Sequence, residues 1–180
     1  MNDTTEAPTP GAPAADGGSQ DAEPVLNPRS TAKIGDHPIH PMLIPFPIVF
    51  FVSTFVADLV YLAGDDAGWA RASVWLLGAG LVGALAAALA GFADFFGDKR
   101  VTRIGDAWQH MIGNLAAVGL QGVNFYLRYD DPEAAIAPAG VILSTVVVVL
   151  LLFNGWKGWN LVYRHHVGVA DRSPAQMRDV

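Results

Sequence analysis

The sequence predicts an all-α integral membrane protein: a four-helix bundle with both termini cytoplasmic, behind a disordered N-terminal tail. Three observations carry this. Hydrophobic residues make up 52% of the 180 residues and charged ones only 16%, against about 25% charged in ordinary soluble domains. The apolar residues are blocked into four long runs. The basic residues gather in the segments that an even number of crossings places on one side.

Residues 1–33 are rich in Pro, Ala, Gly, Asp and Thr and show no apolar periodicity, which predicts the disordered tail. They lack the basic start and apolar core of a cleaved secretory signal, so the first membrane segment serves as its own address. A transmembrane domain over 34–164 follows, with spans at about 43–64, 72–97, 107–128 and 136–157. Each has roughly 22–26 residues, hence roughly 33–39 Å of helix, enough to cross a hydrocarbon layer about 30 Å thick. The run VILSTVVVVLLLF at 141–153 is apolar all round and offers water no face. Residues 165–180 form a C-terminal cytoplasmic tail.

Orientation follows from Lys and Arg. Arg29, Lys33, Lys99, Arg100, Arg103, Lys157, Arg164, Arg172 and Arg178 fall on one side, and only Arg71 and Arg128 on the other. Trp69 and Trp75 mark the outer rim; Trp108, Trp156 and Trp159 mark the inner. In the second segment Ala79, Gly83, Ala87 and Gly91 form a ridge of small residues that lets another backbone approach, within the bundle rather than between subunits.

The third segment is the least apolar. Its His110, Asn114, Ala117, Gln121, Asn124 and Arg128 are spaced 4, 3, 4, 3, 4, which keeps them on one face. Polar side chains are costly in lipid without partners, so this stripe should face the bundle interior. Asp58 lies at the depth of Gln121 and Asn124, to meet them or to pair with Arg128. Such a group either glues helices together or lines a proton or water path.

Even crossing parity brings all five histidines to the cytoplasmic face. His37 and His40 stand in HPIHPMLIPFPIVFF, at the mouth of the first span. Pro45 and Pro47 suit that helix's first turn, where N–H groups have no intrahelical partner. Pro38 and Pro41 stiffen the approach, so that it presents His37, His40 or both toward the third segment. His110 and Asp94 lie near the same end. Asp94 either accepts a ring N–H of His110 or is itself a ligand beside His40 and His110. These residues suit haem b, zinc or non-haem iron; the plain alternative is a hydrogen-bonded helix interface. His165 and His166 follow WKGWNLVYR, read as a helix lying along the membrane surface.

Other chemistries are excluded. A net charge of −6 argues against nucleic acid, and the absence of cysteine removes disulfides, thiolate zinc sites and cysteine-ligated clusters from this chain. No Gly-x-Ser-x-Gly, phosphate loop or His-Glu-x-x-His occurs. GAGLVG at 78–83 has dinucleotide-type glycines, but inside a membrane helix with no preceding strand.

Three stretches, GDHPIHPMLIPFPIVFFVSTFVADLV (35–60), AGFADFFG (90–97) and WQHMIGNLAA (108–117), resemble the bacterial membrane proteins grouped as domain of unknown function 2231. The resemblance covers roughly residues 34–164. It implies a four-span bundle of the bacterial inner membrane without an assigned activity, and picks out His40, Asp94, His110 and Asn114. It also implies a Rieske-type iron–sulfur partner or another membrane redox partner. Many relatives have histidine where this chain has Pro45, so no ligand role attaches to that position here. Three functions follow as expectations: a haem- or metal-binding redox subunit with His110 and His40 or His37 as ligands, a non-catalytic scaffold, and a small proton or solute conductor.

Overall fold

A computed structural model describes residues 26–171. Most of the expected tail, with Arg172 and Arg178, lies outside the described residues. Residues Lys33–Ile34 (β1) and His37–Pro38 (β2) pair antiparallel about Gly35–Asp36. Gly35 has φ 61°, the left-handed conformation that such tight hairpins require and glycine adopts at no steric cost. A short helix α1, Ile39–Leu43, leads into α2, Pro45–Gly64, with Pro45 and Pro47 in its first turn. Asp66 caps α3, Ala67–Gly97, by accepting the Gly68 N–H. A 3₁₀ turn, Val101–Arg103, precedes α4, Gly105–Arg128. Next come α5, Pro132–Ala135, a kink at Ala137, α6, Val141–Trp159, and a wider turn, Asn160–Arg164.

Three stretches are long and apolar enough to cross a membrane: Ile39–Gly64, Ala67–Gly97 and Pro132–Arg164. Among the described residues α4, at 24 residues, is not one of them, because its polar stripe lowers its hydropathy. The aromatic stretch WKGWNLVYR needs correction. It prolongs α6 instead of breaking off to lie along the surface, since no proline or capping residue interrupts the helix before Arg164.

The long helices close a ring, with α2 against α3 and α6, and α4 against α3 and α6. Its interior is layered. At one end Phe95, Val101 and Ala107 cluster with Met111 and Leu161. The His40 and His110 rings come next. Phe51, Leu77, Ala84, Ala117 and Val147 form the central apolar layer. A polar layer around Arg128 follows, and Tyr61, Ala70 and Ile136 close the far end. The small-residue ridge serves this interior at three of its four positions. Gly83 lies against Pro47, Gly91 against the His40 ring, and the Ala87 carbonyl meets His40, whereas Ala79 is exposed.

Residues 26–32, expected in the disordered tail, form a strap over the end of α3. The N–H groups of Asn27, Arg29, Thr31 and Ala32 donate to acidic side chains rather than to a periodic ladder, which is why no periodicity marks them. Asn27 N–H donates to Asp171, Arg29 N–H to Asp98, and the Leu26 carbonyl accepts from Arg100. Gly168 N–H returns to the Pro28 carbonyl, so both ends of the described chain meet here.

Candidate functional site

The polar layer answers the question of Asp58. It pairs with Arg128, and both side chains are wholly buried. The Arg128 guanidinium makes five hydrogen bonds: two to the Asp58 carboxylate, one each to Ser73, Ser144 and Asn124. Ser144 also donates to Asp58 at 2.7 Å, and Asn124 Nδ2 donates to Gln121 at 3.0 Å. One charge pair thus ties α2, α3, α4 and α6 together. The spacing on α4 pointed to this group, but Ser73 and Ser144 were not singled out.

The other polar layer brings together two of the expected ligands. The His40 and His110 rings lie edge to face, with centroids 6.3 Å apart and planes at 89°. They hang from different helix pairs. His40 Nδ1 lies 2.8 Å from the Ala87 carbonyl on α3, and His110 Nδ1 lies 3.0 Å from the Asn154 carbonyl on α6. A carbonyl oxygen only accepts, so each Nδ1 carries a proton, and in a neutral ring Nε2 is then the nitrogen with the lone pair. Glycines make room for the rings. A Cβ at Gly91 would stand 3.0 Å from His40 Cε1 and Nδ1, and one at Gly158 would stand 3.1 Å from His110 Cε1. Asn114 donates to the His110 carbonyl at 2.9 Å and accepts from Asn154 at 3.4 Å, which buttresses the α4–α6 side.

Asp94 and His37 need correction. Asp94 serves neither His110 nor a shared site with it: its Oδ1 accepts from Ser30 Oγ, Thr31 N–H and Ala32 N–H at 2.7–2.8 Å. A carboxylate surrounded by backbone donors stays with them, because charged acceptors make the stronger hydrogen bonds. His37 sits exposed on the hairpin. Among the described residues no group of three or more His, Cys, Asp or Glu side chains gathers as a metal site. The zinc and two-histidine-one-carboxylate arrangements therefore find no third protein donor there. His165 lies 3.2 Å from Asp106, which also takes Lys157 at 2.9 Å and Asn160 at 3.2 Å. The Lys157 and His165 bonds hold the Asp106 carboxyl below its ordinary range. The bond from the Arg100 side chain does the same, more strongly, for Asp98 beneath the strap.

The donor set can be tested against a bound group. Two imidazoles that shared one metal through bonds of about 2.0–2.1 Å would bring their ring centres within roughly 6.5 Å of each other. The observed separation falls within that reach, both Nδ1 atoms are already engaged, and both rings sit in glycine-made cradles.

Comparison with known proteins agrees with the membrane reading. A family described as a predicted membrane protein, DUF2231, matches residues 36–171. No curated protein and no solved structure matches the chain. The match takes in the second strand of the hairpin, all four long helices and both imidazoles, and the chain belongs to the DUF2231 family of predicted membrane proteins.

Proposed function

We propose that the chain is a redox subunit of the bacterial inner membrane whose His40 and His110 hold one metal centre between them. The single observation that carries this is the imidazole pair, two rings 6.3 Å apart whose Nδ1 atoms are each taken by a backbone carbonyl. His40 and His110 would hold haem b or a single copper ion, and either would supply one-electron transfer there. The chain's part is to orient both rings through Ala87 and Asn154 and to cover them. The Phe95–Val101–Ala107 layer lies on one side and the Phe51–Leu77–Val147 layer on the other. A Rieske-type partner would be a separate chain, since this one has no cysteine.

The reading includes α4 as a fourth crossing, which places both termini in the cytoplasm. From His110 to Arg128 every exposed residue of α4 is apolar, tyrosine or glycine, among them Ile112, Leu115, Val123, Tyr126 and Leu127. Its polar residues there turn inward. A helix with a lipid-compatible outer face and an inward polar stripe belongs in a bundle within the bilayer.

The test is the spectrum of full-length protein in detergent with and without dithionite, with elemental analysis. A visible spectrum that shifts on reduction identifies haem; a colourless protein with one copper identifies the single ion. His40→Ala and His110→Ala each abolish the signal while the protein stays folded. Folded wild-type protein with neither iron nor copper overturns the proposal.

The scaffold reading has its own support in the Asp58–Arg128 pair, whose charged atoms are all bonded within the bundle and need no ligand to explain them. The conductor reading is weaker. The apolar layer at Ala117, Leu77 and Val147 interrupts the polar stripe.

A further inference from the structure

Helix α1 has five residues, no buried side chain and no side-chain cap, yet it carries His40. Its C-terminal end runs into α2 through Ile44, whose N–H donates to the His40 carbonyl. Its N-terminal end has no helix behind it, and the hydrogen bonds trace what fixes that end. Asp94 lies three residues beyond Gly91 and seven beyond Ala87, on the α3 face against which His40 packs. Its Oδ1 accepts from Ser30 Oγ at 2.8 Å, Thr31 N–H at 2.8 Å and Ala32 N–H at 2.7 Å. Thr31 Oγ1 adds a bond to the Ala93 carbonyl at 2.6 Å. The Ala32 carbonyl then accepts the Ile39 N–H at 2.8 Å, closing the hairpin onto the first residue of α1. His40 comes next, and its Nδ1 returns to the Ala87 carbonyl. The loop of contacts thus starts and ends on one face of α3, and Asp94 is its only charged member.

We propose that Asp94 is the positioning residue for the His40 imidazole: it fixes the strap at Ser30–Ala32, and the strap fixes the start of α1 and with it the ring that faces His110. The inference rests on the reading of His40 and His110 as the working pair, but its geometry stands without a bound metal. His110 is held by α4 and α6 and has no bond to the strap. Loss of Asp94 therefore loosens one ring and leaves the other.

The experiment compares wild type, Asp94→Asn and Asp94→Ala, as full-length chains in nanodiscs. It reads amide hydrogen exchange over residues 37–44 and the rates at which His40 and His110 react with diethyl pyrocarbonate. Hydrogen bonds to a charged group give local opening constants that rise roughly ten- to a hundredfold when they are lost. Asp94→Ala is expected to raise exchange over 37–44 and His40 labelling by that factor, with His110 unchanged. Asp94→Asn keeps an acceptor oxygen and recovers most of the protection. Wild-type His40 labelling in Asp94→Ala overturns the proposal, as does an equal rise at His110. If Asp94→Ala does not fold, Asp94→Asn and Ser30→Ala carry the test. Both retain part of the anchor, and a selective, smaller rise at His40 is required of each. Exchange over 37–44 does not depend on metal, so a metal-free protein would sink the redox reading and leave this result intact.

Discussion

Replacing Arg128 by Met removes five hydrogen bonds and the counter-charge of Asp58 at a site with no solvent exposure. The carboxylate is left buried and unpaired. Breaking one partner of a buried pair costs about 3–5 kcal/mol, whereas replacing both with apolar residues of similar volume is often neutral or favourable. Arg128→Met and Asp58→Leu should each destabilise by that amount, a fall of roughly 6–20 °C in melting temperature if the scaling for domains of this size holds. The double variant should recover most of the loss. Ser73, Ser144 and Asn124 keep partial partners in the double variant, because Asn124 still donates to Gln121 and Ser73 to the Ala70 carbonyl. Thermal unfolding in a fixed detergent, followed by circular dichroism, gives all three numbers and the coupling between the sites. Single losses below about 1 kcal/mol would refute the reasoning, since exposed ion pairs contribute that little. So would a double variant as unstable as the sum of the singles.

Gln121 offers a contrast within the same layer. Its Nε2 has no hydrogen-bond partner among the described residues, so Gln121→Leu should cost under about 1 kcal/mol, while Asn124→Leu, which strands Arg128 Nε, should cost about 1–3 kcal/mol; the same melting assay separates them. Gly80→Ala places a Cβ 2.5 Å from the Phe51 ring and should destabilise by about 1–3 kcal/mol through overpacking. The strap should open with acid. The carboxyl of Asp98 is lowered in the folded chain, so its contribution is complete above the ordinary value of 3.8 and is lost only as pH falls through the lower folded value. Amide exchange at Arg29 should thus stay protected at pH 4 and rise in stronger acid; loss of protection on going from pH 7 to 5 would contradict the Asp98 anchor. Asp106, lowered by Lys157 and His165, adds stability with the same sign, present at neutral pH and fading below the usual carboxylate range.

Much of this was legible because periodicity survives translation into space. The 4, 3, 4 spacing on α4 put Gln121, Asn124 and Arg128 on one face, and depth alone brought Asp58 level with them. The same reasoning brought His40 and His110 to one end. Asp94 was harder. A carboxylate near a helix end can look to an imidazole or to backbone N–H groups, and its donors stood in a segment whose composition resembles disorder. Residues 26–32 have no apolar pattern because side chains of Asp94, Asp98 and Asp171 supply much of their bonding. The imidazole tautomers were equally hidden, since they depend on carbonyls 47 and 44 residues away. In α4 the mean hydropathy is low because the inward polar residues count in it along with the apolar outer face.

X-ray absorption at the iron or copper edge of the purified protein reads directly whether His40 and His110 share one metal. The expected spectrum has nitrogen scatterers at about 2.0 Å with the outer-shell pattern of two imidazoles, lost in His40→Ala/His110→Ala. A bound metal with an oxygen-only shell, or one whose spectrum is unchanged in that double variant, would contradict it.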